Sequence, residues 1–371
     1  MALAELDHQR LTEALTLAES VIGLTDPNPR VGCVIGHADG RVLGRGATQQ
    51  PGGPHAEVMA LRDAAAQGHA VQGATAWVTL EPCAHHGRTP PCSDALVAAG
   101  LARVVVGAHD PFPQVDGAGV ARLRAAGIAV DMAEGPVAEA CRDINIGFFS
   151  RVQRGRPWVR LKVAASLDGV TALADGRSQW ITGAAARRDG HAFRRRATAV
   201  LSGIGTVLHD DPRLDVRLVP TPRQPLRIVL DPRWRTPPTA RLFEADGPLL
   251  VVGAQPPGPA GEALAARGAE LRVLPGPEGR VDLAALLPLL AQRGVNELHV
   301  EAGAALNGAW LAAGLVDELL VYAAPSLLGA GLPLAQLAPP ADLAALPAGR
   351  RWRWHEATPV GDDLRLRLRR G

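Results

Sequence analysis

Two of the chain's four cysteines bracket one short loop, EPCAHHGRTPPC at residues 81–92, directly after a strand-like run at 74–80. A third metal-binding side chain, His55, opens PHAEV at the start of a helix-like segment, 55–67. Zinc takes nitrogen and sulfur ligands, and a catalytic zinc keeps three protein ligands with the fourth position open. His55, Cys83 and Cys92 supply such a set, provided the fold brings a strand end, a loop and a helix start to one point.

Glu57 follows His55 by two residues. A glutamate there can stand beside the metal without ligating it, taking a proton from water and passing it to a leaving amine. The helix N-terminus also favours its carboxylate. H-x-E with P-C-x-x-C is a signature of zinc nucleobase deaminases; here HAE matches, but eight residues separate the cysteines. Taken singly, each residue has an ordinary reading: buried thiols, a helix cap, a solvated glutamate. A closed structural site is the alternative, with His85 or His86 as fourth ligand.

The chain of 371 residues is long for one core, so two domains are expected. Its 39 basic and 37 acidic residues nearly cancel, so no global field draws it to nucleic acid or to an anionic membrane. The partner expected is a small molecule. MALAELDHQR lacks the order of a signal peptide, and no apolar run reaches the roughly 18 to 20 residues of a membrane span. The expectation is a cytoplasmic protein without nucleic-acid or membrane partners.

The first third alternates: a helix over 3–22, a hairpin from 31–36 and 41–46, the helix at 55–67, the strand at 74–80, then helix 93–99, strand 103–107, helix 119–126 and strand 128–132. Such alternation predicts a three-layer α/β/α domain, residues 1–149. The polar, basic stretch SRVQRGRP, 150–157, reads as the boundary. From 157 to 371 a second α/β pattern runs through strands at 158–166, 199–205, 226–231, 249–253, 270–274, 297–303 and 318–325, with helices at 184–197, 282–293 and 304–313. Segments 254–261 and 332–348 read as surface loops.

In an arginine-rich chain one lysine stands alone, Lys162, on the strand RLKVAAS. A lysine can be tuned by burial and a carboxylate to share a proton, which arginine cannot. Lys162 is therefore a candidate catalytic residue with Asp210 as its companion; mutational chance is the alternative. VEAGAALNGAW, 300–310, has the strand, turn, helix order that suits a cofactor phosphate, which marks Gly303.

With PNPRVG at 27–32, HAE at 55–57 and the PCAHHGRTPPC loop at 82–92, the sequence resembles the bifunctional deaminase/reductase family of riboflavin biosynthesis. SLDG at 166–169, SQWIT at 178–182, the TVLHDDP stretch at 206–212 and LVDEL at 315–319 extend the resemblance over nearly the whole chain. It implies a cytidine-deaminase-like domain that removes the 2-amino group of a diaminopyrimidinone ribosylamine phosphate with Zn2+. A dihydrofolate-reductase-like domain would then reduce the ribosyl group to ribityl with NADPH.

The resemblance further implies that Asn28, His85 and Arg88 face the first substrate, and that Ser178, Arg194, Leu214, Arg217 and Glu301 contact the second. Ala164, Trp180, Thr206 and Asp210 would border NADPH. Arg88 reads equally as a solvated loop residue, Arg194 as part of a solvated helix face, and Trp180 as core. The family self-associates, so a homodimer is expected. Two positions depart from the family pattern: Phe112 where Asn is usual, and Asp215 where Thr is expected. A polynucleotide deaminase would call for a basic stripe and exposed aromatics, and a zinc-stabilised interaction protein would unfold locally without metal.

Overall fold

A computed structural model describes residues 3–84, 91–112, 116–340, 342, 346 and 351–370. The chain divides into two compact units, Met1–Gly155 and Arg156–Gly371.

The first unit runs α1 (Glu5–Ser20), β1 (Gly32–Gly36), β2 (Val42–Ala47), α2 (Ala56–Ala66), β3 (Thr75–Val78), α3 (Cys92–Ala98), β4 (Arg103–Val106), α4 (Ala118–Ala125), β5 (Ala129–Met132), α5 (Gly135–Asp143) and α6 (Ile146–Arg154). Its sheet has the order β2-β1-β3-β4-β5, antiparallel at the β1–β2 hairpin and at β1–β3, parallel from β3 to β5. Successive strand residues point to opposite faces. Cys33, Ile35, Ala76, Val78, Val104 and Val106 therefore pack into one core with Ala60, Leu96 and Leu123 of the helices. Val34, Trp77 and Val105 pack into another with Leu11 and Val137. With both faces covered, the sheet is the middle of three layers.

Helix α2 lies unusually close to the hairpin. A Cβ at Gly44 would meet the Ala60 carbonyl oxygen at 2.3 Å, and one at Gly46 the Ala56 oxygen at 2.2 Å. These two glycines let the helix backbone rest on β2, which fixes where the start of α2 points.

The second unit comprises β6 (Trp158–Ser166), β7 (Val170–Leu173), α7 (Ala184–Arg196), β8 (Ala199–Gly203), α8 (Ile204–Asp210), β9 (Leu226–Leu230), β10 (Leu249–Gly253), α9 (Gly258–Ala266), β11 (Glu270–Val273), α10 (Leu283–Gln292), β12 (Glu297–Val300), α11 (Ala304–Ala312), β13 (Glu318–Ala324), β14 (Gly331–Pro333), β15 (Arg353–Val360) and β16 (Asp363–Arg369). The nine-stranded sheet has the order β11-β10-β9-β8-β12-β6-β13-β16-β15. It is parallel from β11 to β13, and β16 and β15 add an antiparallel edge. Strands buried on both faces read as continuous apolar runs, which is why LRIVL and LLVVG are conspicuous in the sequence.

Several expected boundaries change. Residues 150–154 belong to α6, because Phe148 and Ser150 turn into the first unit. The run 199–205 is a strand only to Gly203, where α8 begins. The loop expected over 254–261 gives way to α9 at Gly258, and 332–333 belong to β14. Strands β15 and β16 went unread: Arg365, Arg367 and Arg369 of β16 are paired with Glu356, Glu318 and Asp189, so charge rather than apolar alternation carries that edge.

Candidate active sites

His55 is the N-cap residue of α2, Cys92 opens α3, and Cys83 follows β3. Their ligand atoms lie within 4.8 Å of one another, with His55 Nδ1 3.7 Å from Cys83 Sγ and 3.2 Å from Cys92 Sγ. Tetrahedral zinc at its usual bond lengths keeps nitrogen and sulfur ligands roughly 3.5 Å apart. The three donors thus fit zinc in both chemistry and spacing. The Cys92 backbone N–H also donates to Cys83 Sγ at 3.3 Å, which tethers α3 to the loop. Hydrogen bonds from Cys92 and His55 stabilise the thiolate form of Cys83, whose pKa is drawn down to about 4.

Glu57 is 3% exposed, and burial followed by the Cys83 charge raises its pKa to about 7. It lines a cavity of about 460 Å3 together with Asn28, His55, Cys83, Asp110 and Phe112. Helix α6 braces the Asn28 side of this cavity. Asn145, its N-cap residue, accepts the Arg30 N–H at 2.7 Å and donates to the Arg30 oxygen at 2.9 Å, and Arg151 donates to the Pro27 oxygen at 3.1 Å. Asp110, also in the cavity lining, is buried, and burial above all lifts its carboxyl to about 6.

A second cavity, about 350 Å3, lies in the other unit and is lined by Lys162, Ala164, Ser178, Thr206, Asp210 and Gly303, among others. Lys162 Nζ is 3.7 Å from Glu301 Oε2. Arg194 grips both oxygens of Glu301, and His299 Nε2 lies 3.3 Å from Oε1. Despite burial, the Arg194 and Lys162 charges hold the Glu301 carboxyl well below the usual carboxylate range. Gly303 caps α11 without any side-chain hydrogen bond, and a Cβ there would meet nothing within 4 Å. An open, uncapped helix start beside a cavity fits a dinucleotide pyrophosphate.

Residues 4–108 match the family model for the cytidine and deoxycytidylate deaminase zinc-binding region, and residues 157–366 match the RibD C-terminal domain. The riboflavin biosynthesis protein RibD of Escherichia coli (strain K12) is 44% identical, over 98% of this chain and 99% of that protein. The chain belongs to the RibD family. RibD of Acinetobacter baumannii has a solved structure, 41% identical over 99% of both chains, with a TM-score of 0.86. A diaminohydroxyphosphoribosylaminopyrimidine deaminase/5-amino-6-(5-phosphoribosylamino)uracil reductase from Thermotoga maritima has the same TM-score at 31% identity, again over 99% of both chains. This RibD-family chain is an enzyme of riboflavin biosynthesis that joins a zinc-dependent deaminase to an NADPH-dependent reductase. Among the described residues, no helix is long and apolar enough to cross a membrane.

Within this RibD-family fold the expected residues make the following protein contacts. Lys162 pairs with Glu301, while Asp210, the companion expected from sequence, lines the same cavity with a carboxyl raised by burial. Arg194, expected at the substrate, is 13% exposed and spends its guanidinium on Glu301 and on the Asp215 carbonyl at 2.9 Å. The Leu214 side chain lies in the core, at 2% exposure. Trp180 is neither core nor cavity lining: it is 68% exposed with the Arg187 guanidinium 4.5 Å above its ring. Arg217 is half exposed and bonds the Asp215 carboxylate at 2.6 Å. His85, His86 and Arg88 lie outside the described residues.

Sequence reading missed Glu81, Asp110 and Arg151 at the first cavity, and His209, Asn307 and Leu332 at the second. Asp110 and Phe112 had one signal, the departure from the family pattern at AHDPFPQV. Asp215, the other departure, accepts from Arg213 and Arg217 through its carboxylate and from Arg194 through its carbonyl.

Proposed function

We propose that this chain hydrolyses the 2-amino group of 2,5-diamino-6-(5-phosphoribosylamino)pyrimidin-4-one and then reduces the product to 5-amino-6-(5-phosphoribitylamino)uracil. The observation that carries the first step is Glu57, buried in the cavity that His55 and Cys83 of the three-ligand set also line. His55, Cys83 and Cys92 would hold zinc, which when bound supplies the Lewis acidity that makes water a nucleophile at neutral pH. Glu57 takes one proton from the attacking water and delivers one to the departing amine, so water enters and ammonia leaves. Asn28 orients the pyrimidine or its ribose, and His85 and Arg88 take the polar tail.

In the second unit Gly303, Ala164, Thr206 and Asp210 line the cavity and would hold NADPH, which when bound supplies the hydride for the reduction. Lys162 gives the proton needed as the ribose ring opens. Glu301 fixes the Lys162 ammonium at the cavity, and Ser178, which lines that cavity, and Arg217 would contact the substrate. The balanced charge suits a small phosphorylated pyrimidine rather than nucleic acid. A cytoplasmic homodimer is the form we assign, and sedimentation of the purified chain tests the dimer.

The deciding experiment supplies the diaminopyrimidinone ribosylamine phosphate and NADPH to the purified chain, following ammonia and NADPH absorbance in one tube. Ammonia release with NADPH loss supports both halves. Ammonia without NADPH loss sinks the reductase reading.

A further inference from the structure

Glu81 sits two residues before Cys83, and its side chain is fully buried. Its Oε2 accepts the backbone N–H groups of Asp110 at 3.4 Å and Gly117 at 3.2 Å, and its Oε1 that of Val120 at 3.1 Å. His109 Nδ1 lies 3.1 Å from Oε2. The Glu81 backbone N–H donates to the Ala108 oxygen at 2.9 Å. One carboxylate therefore ties down residues at both ends of the segment between β4 and α4.

That segment delivers Asp110 and Phe112 to the wall of the deaminase cavity. The Asp110 carboxylate in turn accepts the Phe112 N–H at 2.9 Å, which links the two wall residues. The join has no slack: a Cβ at Gly119 would meet the Pro82 oxygen at 1.9 Å.

We propose that Glu81 is a positioning residue for the deaminase, setting the width and polarity of the substrate cavity by clamping the segment that carries Asp110 and Phe112. This rests on reading the cavity as the pyrimidine site. The same residue couples that wall to the Cys83 turn, so the metal ligands and the substrate wall share one anchor. A carboxylate is required because its two oxygens offer about four lone pairs to converging N–H donors. An amide keeps one such oxygen and turns an NH2 group toward the remaining donors, which leaves a buried N–H without an acceptor.

The test is Glu81→Gln in the full chain, with zinc content, thermal midpoint and ammonia-release kinetics measured. NADPH oxidation with the deaminated intermediate serves as control in the same molecule. The expected result is a KM for the diaminopyrimidine raised roughly tenfold or more, with kcat within about threefold and zinc content unchanged. Glu81→Asp, which keeps both oxygens on a shorter arm, should fall between the two and gives the reading if Glu81→Gln does not fold. An unchanged KM, or activity lost only in proportion to lost zinc, overturns the proposal while leaving the deaminase reading intact. No ammonia release from the unsubstituted chain overturns both.

Discussion

Lys162 and Glu301 meet because their strands are in register. Leu161 on β6 pairs with Val300 on β12, so the next residue of each chain segment projects toward the same cavity, and Lys162 Nζ comes to 3.7 Å from Glu301 Oε2. The Tyr322 ring lies 5.9 Å from the same ammonium. Lys162→Arg retains charge but neither the compact head nor the transferable proton, and should lower NADPH oxidation by roughly 100-fold. Ammonia release should stay unchanged; full reductase activity in this variant would contradict the role given to Lys162.

Glu57→Gln preserves shape and removes the proton carrier. Zinc should remain at one per chain by elemental analysis, because His55, Cys83 and Cys92 are untouched, while ammonia release falls by about 100-fold or more. Undiminished release would show that another group carries the proton.

Metal removal separates a catalytic site from a structural one. With a strong chelator, ammonia release should cease while far-ultraviolet circular dichroism and NADPH oxidation of the deaminated intermediate persist. Cooperative loss of the first unit's helical signal would mean that the metal holds that unit together.

His191 makes stability depend on pH. It is 5% exposed, its Nδ1 accepts the Arg217 backbone N–H at 3.2 Å, and burial, then the Arg194 and Arg217 charges, hold its pKa down at about 4, with Glu301 and Asp215 opposing. The unfolded histidine binds its proton near pH 6.5. The contribution of neutral His191 is thus fully present above that value and is lost as pH falls from 6.5 toward 4. His191→Asn, which can keep an acceptor at the same place, should flatten the thermal midpoint against pH in this window by a few degrees. A slope equal to that of the unsubstituted chain would rule the contribution out.

Arg160 is wholly buried, with Nη1 2.9 Å from Glu297 and Nε 2.7 Å from Glu318. Removing it leaves two buried carboxylates short of a partner, so Arg160→Ala should destabilise the second unit by about 3–5 kcal/mol in urea denaturation. Arg196 on Glu297 and Arg367 and Arg369 on Glu318 remain to soften the loss. A change below about 1 kcal/mol would show that those arginines suffice.

Residue type and local period settled much in advance. The strands LRIVL and LLVVG announce themselves because both their faces are buried, and α2 and α11 because a glycine-rich or strand-like run ends just before them. β16 shows the limit. Its leucines alternate with arginines, yet Arg365, Arg367 and Arg369 are each less than a fifth exposed while Leu364 is 39% exposed, because Glu318, Glu356 and Asp189 wait on the arginine side. Helix α6 was hidden for a similar reason: the basic SRVQR reads as linker until Phe148 and Ser150 are seen buried.

The sequence by itself singled out the trio His55, Cys83 and Cys92, which the fold gathers at one point, with Glu57 and the lone lysine, because metal affinity and proton transfer depend on which atoms a side chain carries, and few residue types carry them. Tertiary structure alone decided which carboxylate meets Lys162, where the fork of Arg194 is spent, and that Glu81 clamps the wall of the deaminase cavity. Those outcomes follow from strand register and from segments far apart in the chain converging on one buried group, and a local pattern holds no record of distance in space.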